Sequence, residues 1–107
     1  MADDLDLLFE RIRILLDASA EGVRLRRRDV EPTLTDGYAR ALKLDAACMR
    51  LEDRIDRVTQ EVADGLDVPA GQLSGLLRRL HETEQQSRDL RALLAPLRKL
   101  VARAAAA

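Results

Sequence analysis

The sequence is poor in the residue types from which most catalytic and metal sites are built. Its 107 residues include one histidine, one cysteine, one tyrosine, one phenylalanine and no tryptophan. A structural zinc site uses about four Cys or His ligands, and an internal disulfide needs a pair of cysteines. One chain supplies neither set. We therefore expect a protein that is not an enzyme and that has no metal and no cofactor.

Two further absences narrow the class of protein. Lys and Arg total 18 against 19 for Asp and Glu, a net charge of -1, so there is no excess of basic charge to attract nucleic acid or an anionic membrane. No uncharged apolar run approaches the ~18 residues that cross a bilayer. The acidic start at Asp3, Asp4 and Asp6 is unlike a secretory signal. With one cysteine, these features predict a cytoplasmic protein, and the preference for arginine over lysine gives it a bacterial-like composition.

What the sequence does contain is helix-forming residues in three long segments. Leu, Ala, Arg and Glu dominate each segment, and no stretch alternates for long enough to indicate a strand. Glycine and proline mark two breaks between the segments, at residues 31–37 and 64–69, and Pro96 is expected to kink or restart the last segment. The prediction is a single all-α domain of residues 1–107. Its helices are predicted at 3–28, 36–64 and 69–103.

The second and third segments carry apolar residues at alternating spacings of three and four. This pattern is typical of a coiled-coil seam, and a short turn between the segments predicts an antiparallel helical hairpin. Gly65 suits a left-handed helix end, and Pro69 suits a first helical turn. The seam residues are Ala41, Leu44, Cys48, Leu51, Ile55, Val58 and Val62 in the second helix, and Leu73, Leu76, Leu80, Thr83, Ser87, Leu90, Leu94, Leu97 and Val101 in the third.

Polar residues interrupt the middle of this predicted seam. Folding about the turn places Cys48 beside Thr83 and Ser87. Buried hydroxyl groups need partners, usually a backbone carbonyl one turn back, so this layer is expected to fix the register of the hairpin. The alternative is a gap that binds a small ligand. The thiol of Cys48 is expected to be inert, and His81 is expected to be an ordinary surface residue.

The first segment has an apolar stripe of its own, broader than a two-stranded seam requires. It is expected to pack on the hairpin as a three-helix bundle, or on a second copy as a helical dimer. Because three apolar stripes exceed what so short a chain encloses, we expect this stripe to face a partner. The predicted interface residues are Leu5, Leu8, Phe9, Ile12 and Leu16.

One basic run stands out near the predicted end of the first helix. Arg24, Arg27 and Arg28 would share one helical face, which is suited to phosphates or an acidic partner. Asp29 and Glu31 follow at once and reduce the local charge. The run is therefore interpreted first as a solvated helix end, and as an anion or acidic-partner contact second.

Taken together, these patterns predict a non-enzymatic helical protein–protein interaction module. Such a module serves as an adaptor, an assembly chaperone or a regulatory binding protein, and its expected partner is another protein or a second copy of itself as a homodimer. The alternative is a nucleic-acid-binding accessory protein that uses Arg24, Arg27 and Arg28. No membrane or metal partner is expected.

Overall fold

The computed structural model describes the backbone of residues 3–106 and the side chains of residues 3–104. The described residues form three helices, and no strand occurs among them. The helices are α1 (Asp4–Ala20), α2 (Arg27–Ala63) and α3 (Gln72–Ala106). The predicted all-α class is confirmed, with α2 and α3 closely packed and α1 packed on them as a three-helix bundle.

The chain divides into two compact units. The first contains the residues up to Leu42 and those from Arg88 onward, so it holds α1, the beginning of α2 and the end of α3. The second unit, Lys43–Ser87, holds the remainder of α2 and α3 with the connection between them. That all residues form a single domain stays a prediction.

In the first unit, α1 packs on α2 and α3 around an aliphatic core. Arg11 of α1 also donates hydrogen bonds to two residues of α2, to the Asp36 carboxylate at 2.9 Å and to the Thr33 hydroxyl at 3.1 Å. The ion pair with Asp36 is exposed and contributes little stability, whereas the bond to the buried Thr33 is partly shielded from water. The buried aliphatic residues of this unit are Leu5, Leu8, Ile12, Val30, Ala41, Leu90, Leu94 and Leu97.

The second unit is an antiparallel hairpin of α2 and α3. Leu51, Val58 and Leu76 are buried in one cluster, which confirms the predicted packing of the two stripes. Val62 departs from the prediction because it is 54% exposed, and Val68 of the connection packs against the cluster instead. Ile55, Leu73 and Leu80 also pack there. The coiled-coil character of the hairpin stays a prediction.

The first helix is shorter than the predicted range 3–28. Gly22 has φ of +87°, a left-handed conformation that favours glycine and stops a helix. The N–H groups of Gly22 and Val23 donate to the carbonyls of Ser19 and Ala18 at 3.1 and 2.9 Å, which is the Schellman pattern of a helix end. Gly65, with φ of +78°, ends α2 as predicted.

The second helix begins earlier than the predicted residue 36. The Asp29 carboxylate accepts a hydrogen bond from the Arg26 backbone N–H at 2.9 Å and so satisfies a group that the first turn leaves without a partner. Pro32 then lies within α2, where it removes the one backbone hydrogen bond that its missing N–H would donate to the carbonyl four residues back. The predicted break at residues 31–37 is therefore wrong.

Gly37 also lies inside α2, where it was expected to interrupt the helix. A Cβ atom built on Gly37 would lie 2.3 Å from Cδ2 of Leu94 on α3, and real Cβ contacts essentially never approach so closely. Glycine is needed here because α3 passes too near to leave room for a side chain. The residue marks a close helix contact and not a turn.

The third helix also differs from its predicted range of 69–103. Gly71, with φ of +84°, keeps the residues before Gln72 out of the helix. At the other end, α3 continues through Pro96, so the predicted restart is wrong. The buried neighbours Leu94 and Leu97 hold this part of α3 in the core, which offsets the one hydrogen bond that proline removes.

Candidate functional site

The predicted interface stripe on α1 is largely internal. Leu5, Leu8 and Ile12 are buried within the first unit, and Phe9 and Leu16 are half-buried. The expectation that the stripe faces a partner is therefore wrong for the first three residues, because the chain covers them with its own α2 and α3. Only Phe9 and Leu16 keep enough surface to contact a second molecule.

The opposite side of α1 carries an apolar pair that the sequence prediction missed. Leu7 is 49% exposed and Ile14 is 60% exposed, and a spacing of seven residues places them on one side of the helix. We call these two residues the outer pair. Helix α1 is also the most apolar of the three helices. The signal was present in the sequence, but it was hidden by the richer stripe on the other side.

Phe9 lines a shallow groove between α1 and α3 in the first unit. The guanidinium carbon of Arg13 lies 5.8 Å from the centre of its ring, within the range of a cation–π contact. Leu93 is also in the groove, and Asp6 and Asp89 contribute its acidic lining. The groove can accommodate an apolar side chain, although Arg13 already covers part of the ring.

The basic run near residue 24 does not form one helical face. Arg24 lies in the connection between α1 and α2, whereas Arg27 and Arg28 are in the first turn of α2. The Arg27 side chain pairs with Glu31, so part of its charge is neutralised. All three arginines are exposed, which fits a solvated segment. The predicted alignment of Arg24 with the other two is wrong because α1 ends earlier.

The polar layer of the hairpin is satisfied by hydrogen bonds. Thr83 donates to the Arg79 carbonyl one turn back at 2.7 Å, as predicted, whereas the Ser87 hydroxyl donates to the Asp45 carboxylate at 3.2 Å. Both bonds lie within the second unit. Only the Ser87–Asp45 bond joins α3 to α2. That the layer fixes the register of the hairpin, or binds a small ligand, stays a prediction.

Cys48 is half-buried beside this layer. Burial raises the pKa of its thiol, and the negative charges of Glu84, Asp45 and Glu52 raise the pKa further. A raised pKa lowers the fraction of thiolate, the form that attacks electrophiles and binds metals. The environment of Cys48 therefore opposes nucleophilic chemistry.

Metal ligands do not gather in the part of the chain that the structure describes. No three His, Cys, Asp or Glu side chains in that part lie close enough to hold an ion. His81 is exposed on α3, as predicted. The absence of an enzymatic activity stays a prediction.

A row of exposed arginines on the hairpin is a charged feature that the sequence prediction did not include. Arg50, Arg54 and Arg57 follow one another along α2 at spacings of four and three. Arg54 shares surface hollows with Arg79, and with Arg78, of α3. We call these five residues the arginine face. The spacing of Arg50, Arg54 and Arg57 is the same three–four pattern that predicts the apolar seam.

Comparison with models of known protein families, with curated proteins and with solved structures finds no match. Within the described range 3–106, none of the helices has the length and apolar character required to span a membrane. The chemistry of the surfaces is therefore the basis for a functional conclusion.

Proposed function

We propose that the chain is a non-enzymatic helical protein–protein interaction module that self-associates through the outer pair of α1. The observation that carries the proposal is the exposure of Leu7 and Ile14 on a helix whose opposite side is already buried. A surface helix normally has one apolar side. An apolar second side on α1 indicates that another helix packs on it.

A second copy of the chain fits this surface because the outer pair is complementary to itself. Seven residues correspond to about 10 Å along a helix. When two α1 helices pack antiparallel about a two-fold axis, Leu7 of each copy lies against Ile14 of the other. Arg11 lies between them in sequence, but its guanidinium group is held by Asp36 and Thr33 of the same chain. It therefore does not cover the apolar pair, and Glu10, three residues after Leu7 and four before Ile14, is exposed on the same side of α1.

The test is the mass of the protein in solution by light scattering, at several concentrations and at about 1 M salt. At that ionic strength the Debye length is about 3 Å, so contacts between exposed charges contribute little. The native sequence should give a dimer, and Leu7→Glu/Ile14→Glu should give a monomer. The matched control is Val62→Glu/Leu66→Glu, which places the same charges at residues that are 54% and 60% exposed on the other unit.

Circular dichroism must show that both double variants keep their helices. A native chain that is monomeric at every concentration would contradict the proposal. So would equal loss of association in the control variant, because the effect would then come from added charge and not from the outer pair.

The alternative of nucleic-acid binding by Arg24, Arg27 and Arg28 has weaker support. These residues do not share one helical face, and Glu31 pairs with Arg27. A role as adaptor, assembly chaperone or regulator is the biological use that self-association would serve. The α1 contact itself does not select among these three.

A further inference from the structure

In the hairpin unit, arginines and several carboxylates lie on opposite sides of α2, whereas Asp53 and Glu61 lie on the arginine side. A helix turns by about 100° per residue, so residues two apart point in nearly opposite directions. Glu52 follows Arg50 by two positions, and Asp56 follows Arg54 by two. Asp45 precedes Glu52 by seven residues and shares its side. The arginine face therefore has an acidic counterpart behind it.

The arginine face is open to a partner. All five of its arginines are exposed, and no ion pair joins any of them to a carboxylate among the described residues. Glu61 and Glu82 line two of the hollows without pairing. Between the arginines, the surface is formed partly by small residues. A Cβ atom added to Gly75 would meet nothing within 4 Å, so the hollow there has room for a side chain from outside.

The opposite side of the hairpin carries the complementary charge. Glu84, Asp45 and Glu52 lie near enough to Cys48 for their negative charges to raise the pKa of its thiol, after the larger effect of burial. We call Asp45, Glu52, Asp56 and Glu84 the acidic face.

Two large apolar side chains accompany these carboxylates. Leu77 precedes Glu84 by seven residues and lies on the same side of α3, and Met49 lies on α2 between Asp45 and Glu52. Both are exposed. The acidic face therefore has apolar projections, whereas the arginine face has a hollow at Gly75.

We infer that the arginine face of the hairpin binds the acidic face of a second copy of this chain. The rise from Arg50 to Arg54 equals that from Glu52 to Asp56, about 6 Å, so charges on two copies can be placed opposite one another. The second unit contains nine acidic and six basic side chains, a net of -3. That net charge disfavours a nucleic-acid backbone, whereas a second copy presents four carboxylates to the five arginines.

This contact differs in kind from the α1 contact and does not depend on it. Different faces of the two copies meet, so each bound copy still presents an unoccupied face. Such heterologous contacts close into rings or extend into filaments. Contacts between hairpins would thus join α1 dimers into a larger assembly.

The experiment isolates this contact by using the Leu7→Glu/Ile14→Glu background, which removes the outer pair. Two variants are made in it. Arg54→Gln/Arg79→Gln removes two of the five charges of the arginine face, and Glu52→Gln/Glu84→Gln removes two of the four charges of the acidic face. Masses are measured by light scattering at low and at about 1 M salt, for each variant alone and for an equimolar mixture.

At low salt the background chain should show a mass that rises with concentration beyond two chains, and at about 1 M salt it should be monomeric. Each face variant alone should associate at least about tenfold more weakly. The mixture should form a complex of two chains and no larger, because it combines one intact face of each kind. As a matched control, Arg24→Gln/Arg28→Gln removes the same charge from exposed arginines outside the face and should behave as the background.

A background chain that stays monomeric at low salt would overturn the inference, as would a mixture that forms no complex. Binding of duplex DNA that is lost in Arg54→Gln/Arg79→Gln, with no change in mass, would assign the face to nucleic acid instead. Because the α1 test is made at about 1 M salt and this test lacks the outer pair, either proposal can fail while the other stands.

Discussion

Gly37 was expected in a break between helices, but it lies inside α2 at a close contact with α3. The methyl group of Leu94 that a Cβ atom would meet at 2.3 Å belongs to a buried side chain, so it has little freedom to move away. Overpacking of this kind typically costs about 1–3 kcal/mol, whereas replacing glycine by alanine in a helix contributes about 1 kcal/mol of stability. The cost of overpacking is therefore larger than the stability gained by replacing glycine.

We therefore expect Gly37→Ala to lower the free energy of unfolding by about 1 kcal/mol. Gly75→Ala is the matched control, because Gly75 is also helical but has open space around it, and it should raise the free energy of unfolding by up to about 1 kcal/mol. Urea denaturation followed by circular dichroism measures both. Equal stabilisation of the two variants would show that Leu94 yields without cost.

The polar layer shows which hydrogen-bond partners could be predicted from the sequence. Thr83 bonds to the carbonyl of Arg79 because that acceptor lies one turn back in any helix, so local sequence is sufficient. Ser87 bonds to Asp45, and that partner depends on the offset between α2 and α3. A contact of this kind is visible only when both helices have been placed.

At the scale of the element, α1 combines one buried side and one exposed side that are both apolar. Ile12 has no exposed surface, whereas Ile14 is 60% exposed. At about 1 M salt and high dilution, Ile12→Ala should therefore lower the free energy of unfolding by about 2–5 kcal/mol, because it leaves a cavity in the core. Ile14→Ala should change it by no more than about 0.5 kcal/mol.

Urea denaturation of these two variants compares the same chemical change on opposite sides of one helix. Similar losses for Ile12→Ala and Ile14→Ala would contradict the placement of α1 on the core. A large loss for Ile14→Ala at raised protein concentration only would instead report the dimer contact.

The helix ends were the least predictable elements, for an identifiable reason. Gly65 was recognised because it precedes a cluster of other turn residues, and Gly22 was missed because the arginines that follow it favour helix. Both glycines are followed by an apolar residue, Val23 or Leu66, as the Schellman pattern favours. Conversely, Pro32 suggested a break between helices. The structure has none there, because α2 already begins at Arg27, where the Asp29 carboxylate accepts a hydrogen bond from the Arg26 N–H.

At the scale of the whole molecule, charge is nearly balanced. The isoelectric point is about 5.8, and a protein without net charge loses the repulsion that keeps copies apart. Solubility should therefore be lowest near pH 5.8 and should rise toward pH 8. The midpoint of precipitation by polyethylene glycol, measured across this range, checks the expectation. A midpoint that does not change with pH would show that apolar contacts dominate association.

The helical class and the packing of α2 with α3 were predictable because apolar periodicity records which side of each helix is buried. The surfaces that we propose for binding a second copy were not predictable in this way. Leu5, Leu8 and Ile12 have the pattern of a partner interface, and the same pattern describes a core, since both are apolar stripes. Whether the stripe is core or interface is determined by the length and placement of α1, and the length of α1 depends on Gly22.

The environment of Cys48 has a practical consequence for spectroscopy. It is the single cysteine of the chain, and its thiol is half-buried with a raised pKa among carboxylates. Maleimides and anionic disulfide reagents should therefore react with it slowly near neutral pH. A fluorophore or spin label can then be attached at a cysteine introduced on either face of the hairpin, while the native thiol remains in place.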